Sequence, residues 1–309
     1  MFKYSLDNKR YYTLNYYNKM KYNSKVFKIS LNAGFTCPNI DGTKGTGGCI
    51  YCLNGSKSID NLDLLKQFIT QKNIEEKKWP NSKYIGYFQA NTNTYAPLDV
   101  LKEKYELILK QDNVIGLNIA TRPDSINKET YDYLEELSKR TNLVVELGLQ
   151  TIHEKTMKLL NLCYTLEDFE EALNELNKRN INVVVHIING LPYETKEDMI
   201  NTVKYLSNKN ILGIKIHMLH ILKNTKLNEL YQKEKFHVLT KEEYVDIVCD
   251  ELEYLREDIV INRITGDPDK TKVVEPVWLI KKFGVLNEID KEMERRNTYQ
   301  GIKYNYIDK

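Results

Sequence analysis

Three cysteines crowd into sixteen positions as Cys37-x11-Cys49-x2-Cys52. A Cys-x2-Cys pair lets two thiolates converge on one metal centre from a single tight turn. The stretch between the first two, PNIDGTKGTGG, holds four glycines and a proline. It reads as a loop able to fold around something bulky. Structural zinc wants four ligands, and the nearest downstream candidates for a fourth are His153 and Cys163, about a hundred residues away. Three thiolates fit another design, a [4Fe-4S] cluster, which normally takes four cysteines and with three keeps one iron open. Incidental buried thiols are the bland alternative, but such cysteines are usually scattered and apolar-flanked. Cys163 and Cys249 stand apart and read as packed thiols. An odd count of five with three crowded argues against a disulfide framework and for a reducing compartment.

The elements that must position this loop alternate along the chain. Apolar runs of strand length occur at 25–31, 84–89, 114–121, 143–150, 181–188 and 211–219, rich in Val, Ile and Tyr. Several are nearly continuous in apolar residues, as strands buried on both faces are. Helix-length segments separate them. Thr165-x-x-Asp168, Thr195-x-x-Asp198 and Thr240-x-x-Glu243 open helices as capping boxes. Leu166, Phe169, Ala172, Leu173 and Leu176 share one face of the first. Pro97 opens the helix after the second strand. Six strands alternating with helices predict an α/β fold, a partial (β/α)6 barrel of parallel strands with short N- and C-terminal extensions. The expected organisation is an N-terminal basic and aromatic extension at 1–24, a barrel at 25–235, and a C-terminal helical extension at 236–309. In that last part 239–256 reads as an amphipathic helix, 259–264 as a short strand and 276–297 as helical. The cysteine loop follows the first strand, at the strand ends where such barrels keep their chemistry.

Composition is that of a globular protein, with 41% hydrophobic and 28% charged residues in 309, which excludes disordered, collagenous and coiled-coil classes. There is no apolar run of about 18 residues and no apolar core after the first charges, so neither a membrane span nor a signal peptide is expected. The expected compartment is the cytoplasm. Net charge is +2, with +6 over residues 1–30 and +3 over 270–309, which leaves −7 for 31–269. Basic ends around an acidic middle can meet a polyanion, or can simply be solvated. In the segment 9–22, KRYYTLNYYNKMKY, basic residues interleave with aromatics. Such a segment can contact phosphates and stack unpaired bases, or it is a Tyr-rich helix packed over the barrel.

These residues resemble a known family. The motifs are SLNAGFTCPNIDGTKGTGGCIYC (30–52), YFQANTNTYAP (87–97), IATRPD (119–124), VELGLQT (145–151), HIINGLP (186–192) and DKEMERRNTYQG (290–301). The chain is similar to radical S-adenosylmethionine enzymes, and within them to the YhcC/YtqA-like bacterial proteins, relatives of the radical half of the Elongator catalytic subunit. The resemblance covers nearly the whole chain. It implies that Cys37, Cys49 and Cys52 ligate the cluster, with Tyr51 packed beside it, and that S-adenosylmethionine chelates the open iron. Gln89-Ala90-Asn91-Thr92 occupies the place of the family's Gly-Gly pair, so Gln89 or Asn91 would meet the methionine amine. Arg122 and Gln150 would lie around the methionine carboxylate and ribose, and the segment from Ile188 through Gly190 to Pro192 would hold adenine. For Arg122 the bland reading is a helix cap, for Glu146 a buried hydrogen-bonded charge, and for His186 a core imidazole; His217 and His220 flank a strand end.

The chemistry implied is reductive cleavage of S-adenosylmethionine to a 5′-deoxyadenosyl radical that abstracts a substrate hydrogen. The electron would come from an external one-electron donor such as flavodoxin or ferredoxin. No second cysteine cluster is seen, which disfavours sulfur insertion. The Elongator relative acts on the wobble uridine of tRNA at carbon 5, and the expected reaction is remodelling of such a side chain in tRNA, without that relative's acetyltransferase domain. A small-molecule or peptide substrate is the alternative, and a non-catalytic zinc or iron–sulfur binding module is a third reading.

Overall fold

The structure is a computed structural model that describes residues 2–3, 9–53 and 63–304. Asp7, at one end of the expected extensions, and residues 305–309, at the other, lie outside the described residues. Along the chain run α1 (Leu14–Tyr22), β1 (Val26–Leu31), α2 (Leu64–Lys78), β2 (Lys83–Phe88), α3 (Leu98–Leu109), β3 (Val114–Thr121), α4 (Lys128–Arg140) and β4 (Asn142–Gln150). There follow α5 (Glu154–Leu159), α6 (Leu166–Lys178), β5 (Asn182–Asn189), α7 (Lys196–Ser207), β6 (Gly213–Met218), β7 (Ile221–Leu222) and α8 (Lys226–Lys233). The chain closes with α9 (Lys241–Tyr254), β8 (Val260–Arg263), β9 (Val273–Glu275) and α10 (Lys282–Arg295).

Seven strands share one sheet in the order β1-β2-β3-β4-β5-β6-β8. β1 with β2, β2 with β3, β3 with β4 and β6 with β8 pair in parallel. Sequential strands as neighbours, with a helix between, is the α/β topology of a partial (β/α) barrel. All six expected strands are present within two residues of their expected ends. The seventh corrects the six-strand expectation. The short strand expected at 259–264 is that seventh strand: Val260 and Ile261 are almost wholly buried and pair with Gly213 and Ile214. β7 and β9 form a small antiparallel ribbon that no periodicity announced.

The helices begin where their side chains satisfy the first free N–H groups. Thr165, Thr195 and Thr240 each close a reciprocal capping box with Asp168, Asp198 and Glu243, each cap contributing about 1 kcal/mol. On α6 the buried stripe is Phe169, Ala172, Leu173 and Leu176, while Leu166 is only half-buried. Complete burial of Phe169 stabilises the fold by roughly 2–3 kcal/mol. Pro97 stands at the N-cap of α3, one position before the first helical residue.

The chain divides into two compact units. One comprises Met1–Tyr17, Gln150–Asn161 and Val185–Lys309, and the other Asn18–Leu149 and Leu162–Val184. In the first unit the two ends of the chain are sewn together. The buried Gln300 side chain accepts from Tyr12 N–H at 2.8 Å and donates to the carbonyls of Arg256 and Ile259, each at 2.9 Å. Arg10 donates to Thr298 O at 3.1 Å, and its guanidinium lies 4.7 Å from the Phe2 ring. Lys9 pairs with Asp290. Arg296 ties α10 to α9 through Asp250 at 2.6 Å and to Glu292 in its own helix at 2.8 Å. Lys9, Arg10 and the Tyr12 backbone, in the segment that could either contact a nucleic acid or pack, thus have partners within the protein, and Lys19 and Lys21 are exposed.

Candidate active site

The cysteine loop is held from both sides in the second unit. Where β1 ends, the buried Gln67 of α2 accepts from Asn32 N–H and donates to Asn32 O, both at 2.9 Å. Gln71 donates to Ser30 O at 2.7 Å. From the loop after β2, Asn91 Nδ2 donates to Phe35 O at 2.8 Å. Asn91 has φ +61°, a left-handed backbone that glycine adopts freely and that Asn tolerates best among the other residues. It adopts a backbone that glycine favours and commits its side-chain N–H to the cysteine loop. Gln89 is exposed, and its backbone N–H donates to Leu31 O at 3.2 Å.

The loop itself turns at each cysteine. Cys37 O accepts from Ile40 N at 2.8 Å and Asp41 N at 3.2 Å, and Cys49 O from Cys52 N at 3.0 Å. Gly42, Gly47 and Gly48 have φ of +92°, +77° and +72°, which an L side chain resists. Fully buried Asn39 accepts from Gly48 N at 2.8 Å through its backbone carbonyl and directs Nδ2 to Cys49 Sγ at 3.6 Å. The Cys49 and Cys52 thiols hydrogen-bond to each other. That bond lowers the Cys49 thiol to about 7 and, as its other consequence, raises Cys52 well above the ordinary range. Cys37 acts on Cys52 and Arg122 through space. Burial and the two neighbouring thiols push the Tyr51 hydroxyl up.

Arg122 is almost completely buried and lies over the Tyr164 ring, 4.9 Å from its centroid. It forks onto Asp124 through Nε and Nη2, each at 2.9 Å, and makes no cap bond to the following 3₁₀ turn. Lys44 of the cysteine loop reaches Asp124 Oδ2 at 3.2 Å and its carbonyl at 2.8 Å. Burial opposes the charge on Arg122, but the Asp124 carboxylate outweighs it and the guanidinium stays charged. Asp124, Lys44 and Tyr164 went unrecognised in sequence, although Asp124 stands two residues from Arg122. Cys163 also comes close: a methyl group on Gly45 would stand 2.7 Å from its sulfur. Glu146 is a buried hydrogen-bonded charge, accepting from Lys28 Nζ at 2.9 Å and Asn118 Nδ2 at 2.5 Å.

Among the described residues no three Cys, His, Asp or Glu side chains are gathered closely enough to enclose a lone metal ion. The donor set suits a larger group. Two thiols share a turn, a third lies on the same loop, and a guanidinium stands within electrostatic reach of them. Soft thiolates are the ligands of iron–sulfur clusters, so the residues present fit one.

The remaining expected residues lie in the first unit. Gln150 ends β4 with φ +69°, a conformation costly for a side chain of its kind. Ile188 is half-buried near the end of β5. Gly190 has φ +82°, and its N–H points to Met199 Sδ at 3.1 Å. The preceding Asn189 donates to Glu251 of α9 at 2.8 Å. Thr151, after β4, donates to Glu194 at 2.6 Å, and burial raises the Glu194 carboxyl. Neither Glu251 nor Glu194 was marked by spacing or motif.

Comparison with known proteins places these elements. The Radical SAM superfamily matches residues 40–206 and the Radical_SAM C-terminal domain residues 211–295. The first match begins just after Cys37. The uncharacterized protein YtqA of Bacillus subtilis is 46% identical over 304 residues, 97% of this chain and 94% of its own. Protein YhcC of Escherichia coli is 29% identical over 282 residues, 90% of each. In fold, the archaeal Elp3 of Methanocaldococcus infernus superposes with a TM-score of 0.69 at 19% identity, over 90% of this chain and 64% of that one. The chain belongs to the radical S-adenosylmethionine superfamily, whose members bind a [4Fe-4S] cluster and S-adenosylmethionine.

Proposed function

We propose that Cys37, Cys49 and Cys52 hold a [4Fe-4S] cluster and that the enzyme uses it to remodel the carbon-5 side chain of a wobble uridine in tRNA. The observation that carries the first part is the pairing of Cys49 and Cys52 in one turn of a glycine-rich loop that α2 and the loop after β2 brace. When bound, the cluster supplies the electron that cleaves S-adenosylmethionine to methionine and a 5′-deoxyadenosyl radical. Arg122, its Nε and Nη2 held by Asp124, keeps Nη1 and its charge for the methionine carboxylate. Gln150 presents a side chain that makes no hydrogen bond among the described residues, and it serves the cofactor's ribose. Gly190 lets the backbone approach adenine closely. Asn91 positions the cysteine loop, and Gln89 remains for the methionine amine. An external one-electron donor of the flavodoxin or ferredoxin class completes the reaction.

The tRNA part has a different support. Two relatives carry the name tRNA uridine(34) acetyltransferase. The one from Methanocaldococcus infernus is 24% identical over 185 residues, 59% of this chain and 34% of its own. Lys19 and Lys21 are exposed, the latter beside the Tyr22 ring, where they can meet phosphates.

The test is anaerobic reconstitution with iron and sulfide, reduction by dithionite with S-adenosylmethionine, and assay of 5′-deoxyadenosine with and without bulk tRNA. Cleavage that requires all three cysteines and rises with tRNA supports the proposal. Cleavage indifferent to tRNA leaves the radical chemistry and transfers the search to small molecules or peptides. A colourless protein with stoichiometric zinc would sink both parts.

A further inference from the structure

β6 and β8 carry a device that the chemistry above does not use. Along β6, Ile214, Ile216 and Met218 are buried on one face, so Lys215 and His217 share the other. β8 runs beside it with Gly213 opposite Val260 and Ile214 opposite Ile261. The register then slips, and Lys215 stands opposite Arg263 instead of Asn262. Without the slip, Arg263 would pair with Ile216 and share its face. The extra residue, Asn262, turns Arg263 onto the face of Lys215 and His217. Bulges of this kind commonly re-aim a side chain beside an active site. The bulge depends on glycine at 213, where a Cβ would stand 2.3 Å from Asn262 Oδ1.

The groups collected there are basic side chains. The His186 and His217 rings are 5.3 Å apart. His220 Nε2 is buried without a hydrogen-bond partner. Among the described residues, His217 makes no hydrogen bond and Arg263 neither hydrogen bond nor ion pair. Burial holds the His217 imidazole neutral, and the charged or ionisable groups that act on it are His186, Arg263, Lys215 and His220, all basic. Asp267 acts on His220. A buried ring nitrogen without a partner calls for one, and the exposed Arg263 guanidinium that acts on it makes a negative group the favoured partner.

We propose that His217, His220 and Arg263 form a recognition site for an oxyanion of the substrate, a phosphate or a carboxylate. This deepens the functional reading by assigning the substrate a negative group. It rests on that reading only for the word substrate, since the binding test needs no turnover.

The test is calorimetric titration of the anaerobic, reconstituted protein with uridine, uridine monophosphate, inorganic phosphate and acetate. The expected result is that the monophosphate binds at least about tenfold more tightly than uridine, as charge-assisted hydrogen bonds warrant. Arg263→Gln and His217→Asn should abolish the difference, and Arg263→Lys should restore part of it. Arg179→Gln, in the other unit, should leave it intact. Thermal melting of each variant separates lost binding from lost folding. Selective binding of acetate would identify a carboxylate as the source, and of phosphate a phosphate. The proposal is overturned if no oxyanion binds, or if Arg179→Gln weakens binding as much as Arg263→Gln. Failure of 5′-deoxyadenosine formation alongside oxyanion binding would count against the radical reading alone.

Discussion

Glu251 offers the sharpest test of how the segment that follows β5 is held. Its carboxyl is fully buried on α9 and accepts from Asn189, next to Gly190, while Oε1 has no partner among the described residues. Burial raises it from 4.5 to about 8, with the Asn189 amide opposing. The direction of the pH effect follows from which state binds the proton. Below pH 4.5 the folded and unfolded carboxyls are both protonated and no penalty exists. Between 4.5 and 8 the unfolded chain ionises while the folded one keeps its proton, so stability falls by about 1.4 kcal/mol per pH unit. Above 8 the folded carboxyl ionises too and the penalty levels off at roughly 3–5 kcal/mol. Glu251→Gln retains an acceptor for Asn189 and removes the titration. Its melting temperature should match that of the parent at pH 5 and exceed it by about 5–10 °C at pH 8.5, a chain of this size gaining roughly 2 °C per kcal/mol. Both proteins are to be melted anaerobically across that range. A difference that stays constant from pH 5 to 8.5 would refute the reasoning, since it would mean that Glu251 does not change its ionisation on unfolding.

Three further outcomes are expected. Gln300→Ala strands one N–H and two carbonyls that its side chain now pairs, at about 3–4 kcal/mol in urea denaturation; a loss under 1 kcal/mol would show that the two chain ends are not joined there. Gly190→Ala forces a Cβ into a left-handed backbone and to 3.1 Å from Leu239, at about 1–3 kcal/mol, and should raise the KM for S-adenosylmethionine. Asp124→Asn leaves Arg122 buried without its carboxylate, at about 3 kcal/mol. It should raise that KM more than it lowers kcat, and a fall in kcat alone would contradict a positioning role for Asp124.

The tyrosine- and lysine-rich start of the chain shows how a composition signal divides once the chain is folded. Lys9 and Arg10 pair with Asp290 and Thr298 O, and Tyr12 N–H is spent on Gln300. They act as the seam between the chain ends, and their charge is largely used there. Lys19 and Lys21, two residues apart on α1, lie at the surface. Any electrostatic contact with RNA would therefore fall on the later half of the segment.

The elements and the thiol spacing were legible in sequence because the forces that set them are local. A strand shows in a run of Val, Ile and Tyr, a capping box in a Thr and an acid three residues on, and a chelating turn in Cys49 and Cys52. Each is decided by atoms a few residues apart. What the tertiary structure alone decided are pairings across long separations. The short strand at 260–263 joined the main sheet as its seventh member because Val260 and Ile261 bury against β6. Cys163 reached Gly45, Lys44 reached Asp124, and Glu251 reached Asn189, and no spacing rule connects such partners. The slip that turns Arg263 beside His217 is a matter of one residue of register, and register is chosen by the packing of both strands together.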